Sequence, residues 1–316
     1  MSEGKKYVLA VPNFSNGRDP EVVAKVTEPV KEIPGVKLVG VEPEHDFNRT
    51  VVTVIGEPGP IKKALVEMGA RAAKLVDMSR HKGTHPRIGA EDTLPIFPLH
   101  NITLNECRAL AEEIGKEFFE LTKVPVYFAG VNSRTPERAS FAFIRAGQYE
   151  GLRDLLRAAK NDPARAAEYE ARKPDLSVDG LLSETAGGTI VSCEENGLTA
   201  YNIFLDTEDL SVAKEIARAV RGPSGGFGSI RAVGIKFPEH KGVVVSMNMF
   251  DCVSLPIQRV FEFCRREAAR LGVNVAGSQL VGPIKLESVI QSFVYSLGLE
   301  GFRTGQILES HLIGLK

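Results

Sequence analysis

The chain has 316 residues, enough for about two domains with well-buried cores. Its 39 Lys and Arg nearly balance its 40 Asp and Glu, so a formal charge of −1 gives no general reason to bind nucleic acid or an anionic membrane. A composition of 43% hydrophobic and 25% charged residues, with no run near the ~20 apolar residues of a membrane span, excludes disordered and transmembrane readings.

The four cysteines, at 107, 193, 252 and 264, show no CxxC spacing, and the histidines at 45, 81, 85, 100, 240 and 311 fall into no ligand pattern. No metal site is expected. The first residues lack the apolar core of a secretory signal, so reduced thiols and a cytoplasmic location are expected.

Residues 6–11 form a short β-like run. Asp19-Pro20 supplies a cap and first-turn proline for a helix carrying Val22, Val26 and Val30, which Pro29 should kink or shorten. Residues 36–42 and 49–55 are strands. After the turn 56–59, Pro60 opens a helix with Ile61, Ala64, Leu65, Met68, Ala72 and Leu75 on one stripe. A loop over 79–92, a strand at 93–98, a helix at about 103–121 and a strand at 124–129 follow, so the first half begins β-α-β-β-α-β.

Residues 150–170 read as a helix rich in Ala, Arg and Glu, and 172–188 as a polar, glycine-bearing connector. The order then repeats: strand 201–205, helix 211–220, strands 230–236 and 243–249, a helix after Pro256 and a strand at 273–276. Its second helix stripe, from Ile257 to Leu271, repeats the stripe from Ile61 to Leu75 at a constant offset of 196 residues. The predicted fold is α+β: two ferredoxin-like (βαββαβ) subdomains, over 1–175 and 176–316, with a ligand groove between them.

The densest polar segment is Asp77-Met-Ser-Arg-His-Lys-Gly-Thr-His-Pro-Arg-Ile-Gly-Ala-Glu-Asp92. Such a loop can set an imidazole beside Arg87, with Glu91 or Asp92 orienting it, or it can be a solvated loop whose His85 caps a helix end. The segment 42–50 is a hairpin loop by composition, although Arg49 at a strand start is unusual for a turn. In Pro12-Asn-Phe-Ser-Asn-Gly17, Asn13 and Ser15 can donate to a ligand or form an Asx-type turn. Thr185-Ala-Gly-Gly-Thr189 lets a flat ligand or carboxylate approach its N–H groups, or is a plain linker. Gly222–Gly228 lacks the Lys-Ser/Thr of a phosphate loop and is rejected as a nucleotide site. Gly277-Ser-Gln-Leu-Val-Gly282 is read as lying after a strand and before a helix near Pro283, a weak anion signal.

In this order, Val11-Pro-Asn-Phe-Ser-Asn-Gly17, Asn48-Arg-Thr50, the segment 77–90, Val124-Pro-Val-Tyr127, Arg145-Ala-Gly-Gln-Tyr149, Thr185-Ala-Gly187, Tyr201-Asn202 and Gly277–Gly282 resemble the formiminotransferase domain of glutamate formiminotransferases and formiminotransferase-cyclodeaminases. The resemblance covers nearly the whole chain. It implies two similar subdomains with folate in the groove between them, a homodimer, and transfer of the formimino group of N-formimino-L-glutamate to N5 of tetrahydrofolate, the co-substrate, in histidine degradation. It places the catalytic histidine at His85 and folate contacts at Thr185, Ala186, Gly187 and Gly188. It implies the monofunctional form, whose product passes to a separate cyclodeaminase.

The implied chemistry calls for a proton shuttle, His85, and a carboxylate to steady the cationic intermediate, for which Glu42 is the candidate. The substrate's two carboxylates call for Arg49 and Arg87, with Asn13 and Asn48 as further binding residues. Three departures stand out: Glu42 where the family has Asp, Val191-Ser-Cys-Glu-Glu195 in place of a Gly-Ala-Arg segment, and Gln279 where an acid is common. They keep two alternatives in view: formyl transfer between 5-formyltetrahydrofolate and glutamate, and a non-catalytic folate-binding module.

Overall fold

The computed structural model describes residues 4–195, 197–236 and 242–313. The chain divides into two compact units that meet in sequence at 195/196.

In the first unit β1 (Tyr7–Ala10) and β2 (Asn13–Phe14) precede α1 (Pro20–Glu32). Asp19 caps α1 by accepting from the Glu21 and Val22 N–H groups, and the helix runs three residues past Pro29. There follow β3 (Val36–Glu44), β4 (Arg49–Gly56), α2 (Pro58–Leu75), β5 (Glu91–His100), α3 (Leu104–Thr122) and β6 (Val126–Gly130). A capping box between Thr103 and Glu106 fixes the start of α3. After α4 (Phe141–Ile144), the predicted helix 150–170 is broken into α5 (Gln148–Ala159) and α6 (Ala166–Arg172), because Asp162-Pro163 starts a 3-10 turn between them. The last strand is β7 (Thr189–Cys193).

The sheet runs β3-β4-β1/β2-β5-β7-β6, with β1 and β2 lying in succession between β4 and β5. It is antiparallel up to β5, and β7 then fills the gap between β5 and β6 in parallel with both. This strand corrects the predicted boundary at 175/176. Residues 176–195 complete the first sheet, so the division falls at 195/196. The core includes Val26, Val30, Val54, Leu65, Met68, Phe118 and Phe128, each worth about 1.5–3 kcal/mol on burial.

The second unit is β8 (Thr199–Leu205), α7 (Leu210–Val220), β9 (Ile230–Lys236), β10 (Val243–Met249), α8 (Ile257–Arg270), β11 (Val275–Val281), α9 (Leu286–Leu297) and α10 (Ser310–Ile313). Its sheet order, β9-β10-β8-β11, is antiparallel throughout. Numbered within each βαββαβ set, both units place their strands 2-3-1-4. The two stripes 196 residues apart lie on α2 and α8, at the same step of the order. Gly277–Gly282 is not a loop before a helix. Residues 277–281 pair with β8, and the next helix starts only at Leu286.

Candidate active site

The connection from α2 to β5 crosses the end of the first sheet and is held there by short-range sterics and hydrogen bonds. Asn48, at φ 49°, accepts from the Gly17 N–H at 3.1 Å and donates to the Lys82 carbonyl at 2.9 Å. These bonds bring the turn before β4 onto the loop that carries the histidines. The result is a pocket lined by Ser15, Phe47, Asn48, Arg49, His81, His85, Arg87 and Asp92.

At its centre, His85 Nε2 lies 2.8 Å from Arg49 Nη1. A guanidinium only donates, so Nε2 accepts and the imidazole proton sits on Nδ1, which is buried and makes no hydrogen bond. The Phe47 ring lies 5.9 Å from the His85 ring and 5.6 Å from the Arg49 guanidinium carbon. Burial first, then the charges of Arg49, Arg145 and Arg87, push the His85 pKa down to about 3. His85 is therefore neutral at physiological pH. His81 is also held below its ordinary value, mainly by burial. It accepts from Arg87 Nε at 3.2 Å and donates from Nε2 to the Asn48 carbonyl at 2.9 Å.

Arg87 is buried and fully committed. Besides His81 Nδ1, it donates to the His81 carbonyl, to Gln148 at 2.8 Å, and to both oxygens of Glu150 at 2.8 and 2.9 Å. The bond from Arg87 holds the Glu150 carboxyl down at about 2. The sequence reading assigns Arg87 to a substrate carboxylate; here its five N–H groups all bond to protein acceptors. The sequence offered no sign of this, because Glu150 lies 63 residues away.

Other predicted residues divide similarly. Glu42 is exposed on β3, opposite Val51, and is not among the pocket's lining residues. Asp92 lines the pocket, one carboxylate oxygen accepting from the Ile88 N–H at 2.7 Å and the other from Arg145 Nη2. Its neighbour Glu91 instead sits beside Gly69 of α2 and Phe118 of α3, with neither oxygen partnered. Asn13 donates to Thr93 Oγ1 and leaves its own buried Oδ1 without a partner. Arg145, not singled out as a site residue in the sequence, reaches the pocket through Asp92.

The N–H groups of Ala186, Gly187 and Gly188 are bonded within the chain, and Thr185 is exposed. The Ala186 N–H donates to Ser183 Oγ, the Gly187 N–H to the Ser183 carbonyl and the Gly188 N–H to the Ile88 carbonyl, while the Ala186 carbonyl accepts from Ala90. Glycine is needed there because the chain crosses itself: a Cβ on Gly187, at φ +70°, would lie 2.1 Å from the Ile88 oxygen. Among the described residues no group of three or more His, Cys, Asp or Glu can hold a metal, and no helix is long and apolar enough to cross a membrane.

A neutral imidazole beside three arginines is an arrangement that can exchange a proton and attract an anion. Residues 7–194 match the family described as Formiminotransferase domain, N-terminal subdomain, and residues 200–313 match Formiminotransferase domain. The chain is 33% identical over 310 residues to a glutamate formimidoyltransferase of Streptococcus pyogenes serotype M1, covering 98% of this chain and 99% of that protein. To the protein of the same name from Thermoplasma acidophilum it is 34% identical over 306 residues, covering 96% of each. A formimidoyltransferase-cyclodeaminase of Mus musculus is 32% identical over 295 residues, covering 92% of this chain and 52% of the relative. The chain belongs to the formiminotransferase family.

Proposed function

We propose that this chain is a glutamate formimidoyltransferase, which moves the formimino group of N-formimino-L-glutamate to N5 of tetrahydrofolate. Full-length similarity to proteins of that name supports the activity, and the observation that carries the mechanism is the neutral His85 at the centre of an arginine-lined pocket. The formimino carbon is part of a protonated amidine and already electrophilic. N5 forms the new C–N bond and its proton passes to His85. The bond to the glutamate nitrogen then breaks, and His85 returns the proton to that leaving nitrogen, so no net proton is consumed at the imidazole. Asp92, at the pocket wall, replaces Glu42 as the carboxylate that steadies the cationic intermediate. A cytoplasmic homodimer is part of the same proposal.

The test is transfer by purified protein from N-formiminoglutamate to tetrahydrofolate, followed as glutamate release. His85→Ala should lower kcat by ~100-fold or more while tetrahydrofolate still binds. Equal loss of rate and binding would make His85 structural. Product from 5-formyltetrahydrofolate and glutamate alone would identify a formyltransferase, and tight folate binding with no product would identify a binding module.

A further inference from the structure

We propose that Arg49 and Arg145 together form the receptor for the glutamate carboxylates, and that a carboxylate bound there draws Arg49 away from His85 Nε2 and frees the shuttle. This rests on the reading of the pocket as a formimidoyltransferase site. Of the three arginines that act on His85, Arg87 has no donor to spare. Arg49 spends Nη1 on His85 and Arg145 spends Nη2 on Asp92, and each has a buried Nε with no partner. Two buried, unpartnered Nε–H donors thus lie on the two arginines that repel one another.

The charge count agrees. Three guanidinium groups face two carboxylates that hydrogen-bond to them, Asp92 and Glu150, leaving one positive charge without a bonded counter-ion. Glu44 stands opposite Arg49 in the β3–β4 ladder, but it is exposed and attracts Arg49 without an ion pair. A half-buried cation without a bonded counter-ion is costly, so the pocket favours an anion with acceptors for the two buried Nε–H groups. Aromatic rings keep both planes in place: Phe47 lies 5.6 Å from the Arg49 guanidinium carbon, and Phe141 5.6 Å from that of Arg145. Arg49 also covers the lone pair that His85 needs for accepting a proton. A carboxylate competing for that guanidinium uncovers the lone pair only when substrate is present.

The experiment is Arg145→Gln, which can still donate to Asp92, beside Arg145→Lys, which keeps the charge. For Arg145→Gln we expect KM for N-formiminoglutamate to rise ~30-fold, with KM for tetrahydrofolate and the urea midpoint nearly unchanged. Arg145→Lys should recover part of the loss. Calorimetric titration with glutamate should show the same weakening without any turnover. In wild-type protein labelled with 15N-histidine, glutamate should shift His85 Nε2. Unchanged glutamate affinity and KM in Arg145→Gln would overturn the receptor, and a silent His85 resonance in glutamate-bound wild type would overturn the release. Loss of turnover with every donor, with Arg145-dependent glutamate binding intact, would remove the transferase reading and leave the receptor standing.

Discussion

Two adjacent carboxyls, Glu91 and Asp92, enter opposite environments at the start of β5. Asp92 lines the pocket and holds Arg145, whereas Glu91 lies against α2 and α3 with burial and the Asp92 charge pushing its pKa well above the ordinary value. A protonated Glu91 in the folded state faces an ionised one in the unfolded chain. Above the usual carboxylate range the unfolded state therefore binds fewer protons, and this residue lowers stability by up to ~1.4 kcal/mol per pH unit until its folded pKa is reached. His85 acts with the opposite sign in a different window. Its folded value of about 3 means that stability is lost as pH falls from near 6.5 toward that value, because only the unfolded imidazole takes a proton. Glu91→Met fills similar volume without a titrating group, and its stability relative to wild type should rise between pH 5 and pH 8. Urea unfolding at three pH values checks this, and a constant difference would show Glu91 to be ionised in place. The cluster 77–92 is legible in the sequence because its polar residues are contiguous. Strand alternation sends the adjacent Glu91 and Asp92 to opposite faces, but which face carries the pocket is not legible, because it is set by the pairing of β5 with the distant β2.

The elements around the histidine loop depend on a crossing of backbone on backbone. Gly89 bridges Gly187, Ala90 donates to Ala186 at 2.8 Å, and Gly188 donates to Ile88 at 3.0 Å, so the loop's exit is fixed by residues about a hundred positions later. Reading Thr185–Gly188 as a place of close approach identifies the right property of Gly187 and Gly188. The approaching group is the chain itself. Gly187→Ala combines a left-handed φ with a Cβ 2.1 Å from the Ile88 oxygen, a backbone atom that cannot rotate aside. We expect a cost of ~4 kcal/mol or more, seen as poor soluble yield or a large drop in Tm. A normal Tm would show that the two segments separate readily. The neighbouring strand β7 escapes the sequence for a related reason. Five residues with no alternation announce nothing locally, and its parallel partners Thr93–Ile96 and Val126–Gly130 lie 63 to 97 residues upstream.

At the scale of the molecule, the two units each carry a hydrophobic core of their own. Their shared βαββαβ order is legible because alternating and helical periodicities are local signals, and it yields the two-unit α+β architecture and the repeated stripe on α2 and α8. The position of the division is not local. Composition points to 175/176, where the chain turns polar, but sheet topology puts residues 189–193 between β5 and β6. Without β7, those two strands would lie about two inter-strand spacings apart, with their facing N–H and C=O groups unpaired and Cys107, Phe128 and Leu94 stripped of Val191 and Cys193 as core neighbours. A fragment ending at residue 195 should therefore fold on its own, with a cooperative urea transition and native-like far-UV circular dichroism. One ending at residue 175 should not. If both fragments gave the same transition, β7 would be an ornament on a sheet complete without it, and the division suggested by composition would be the structural one.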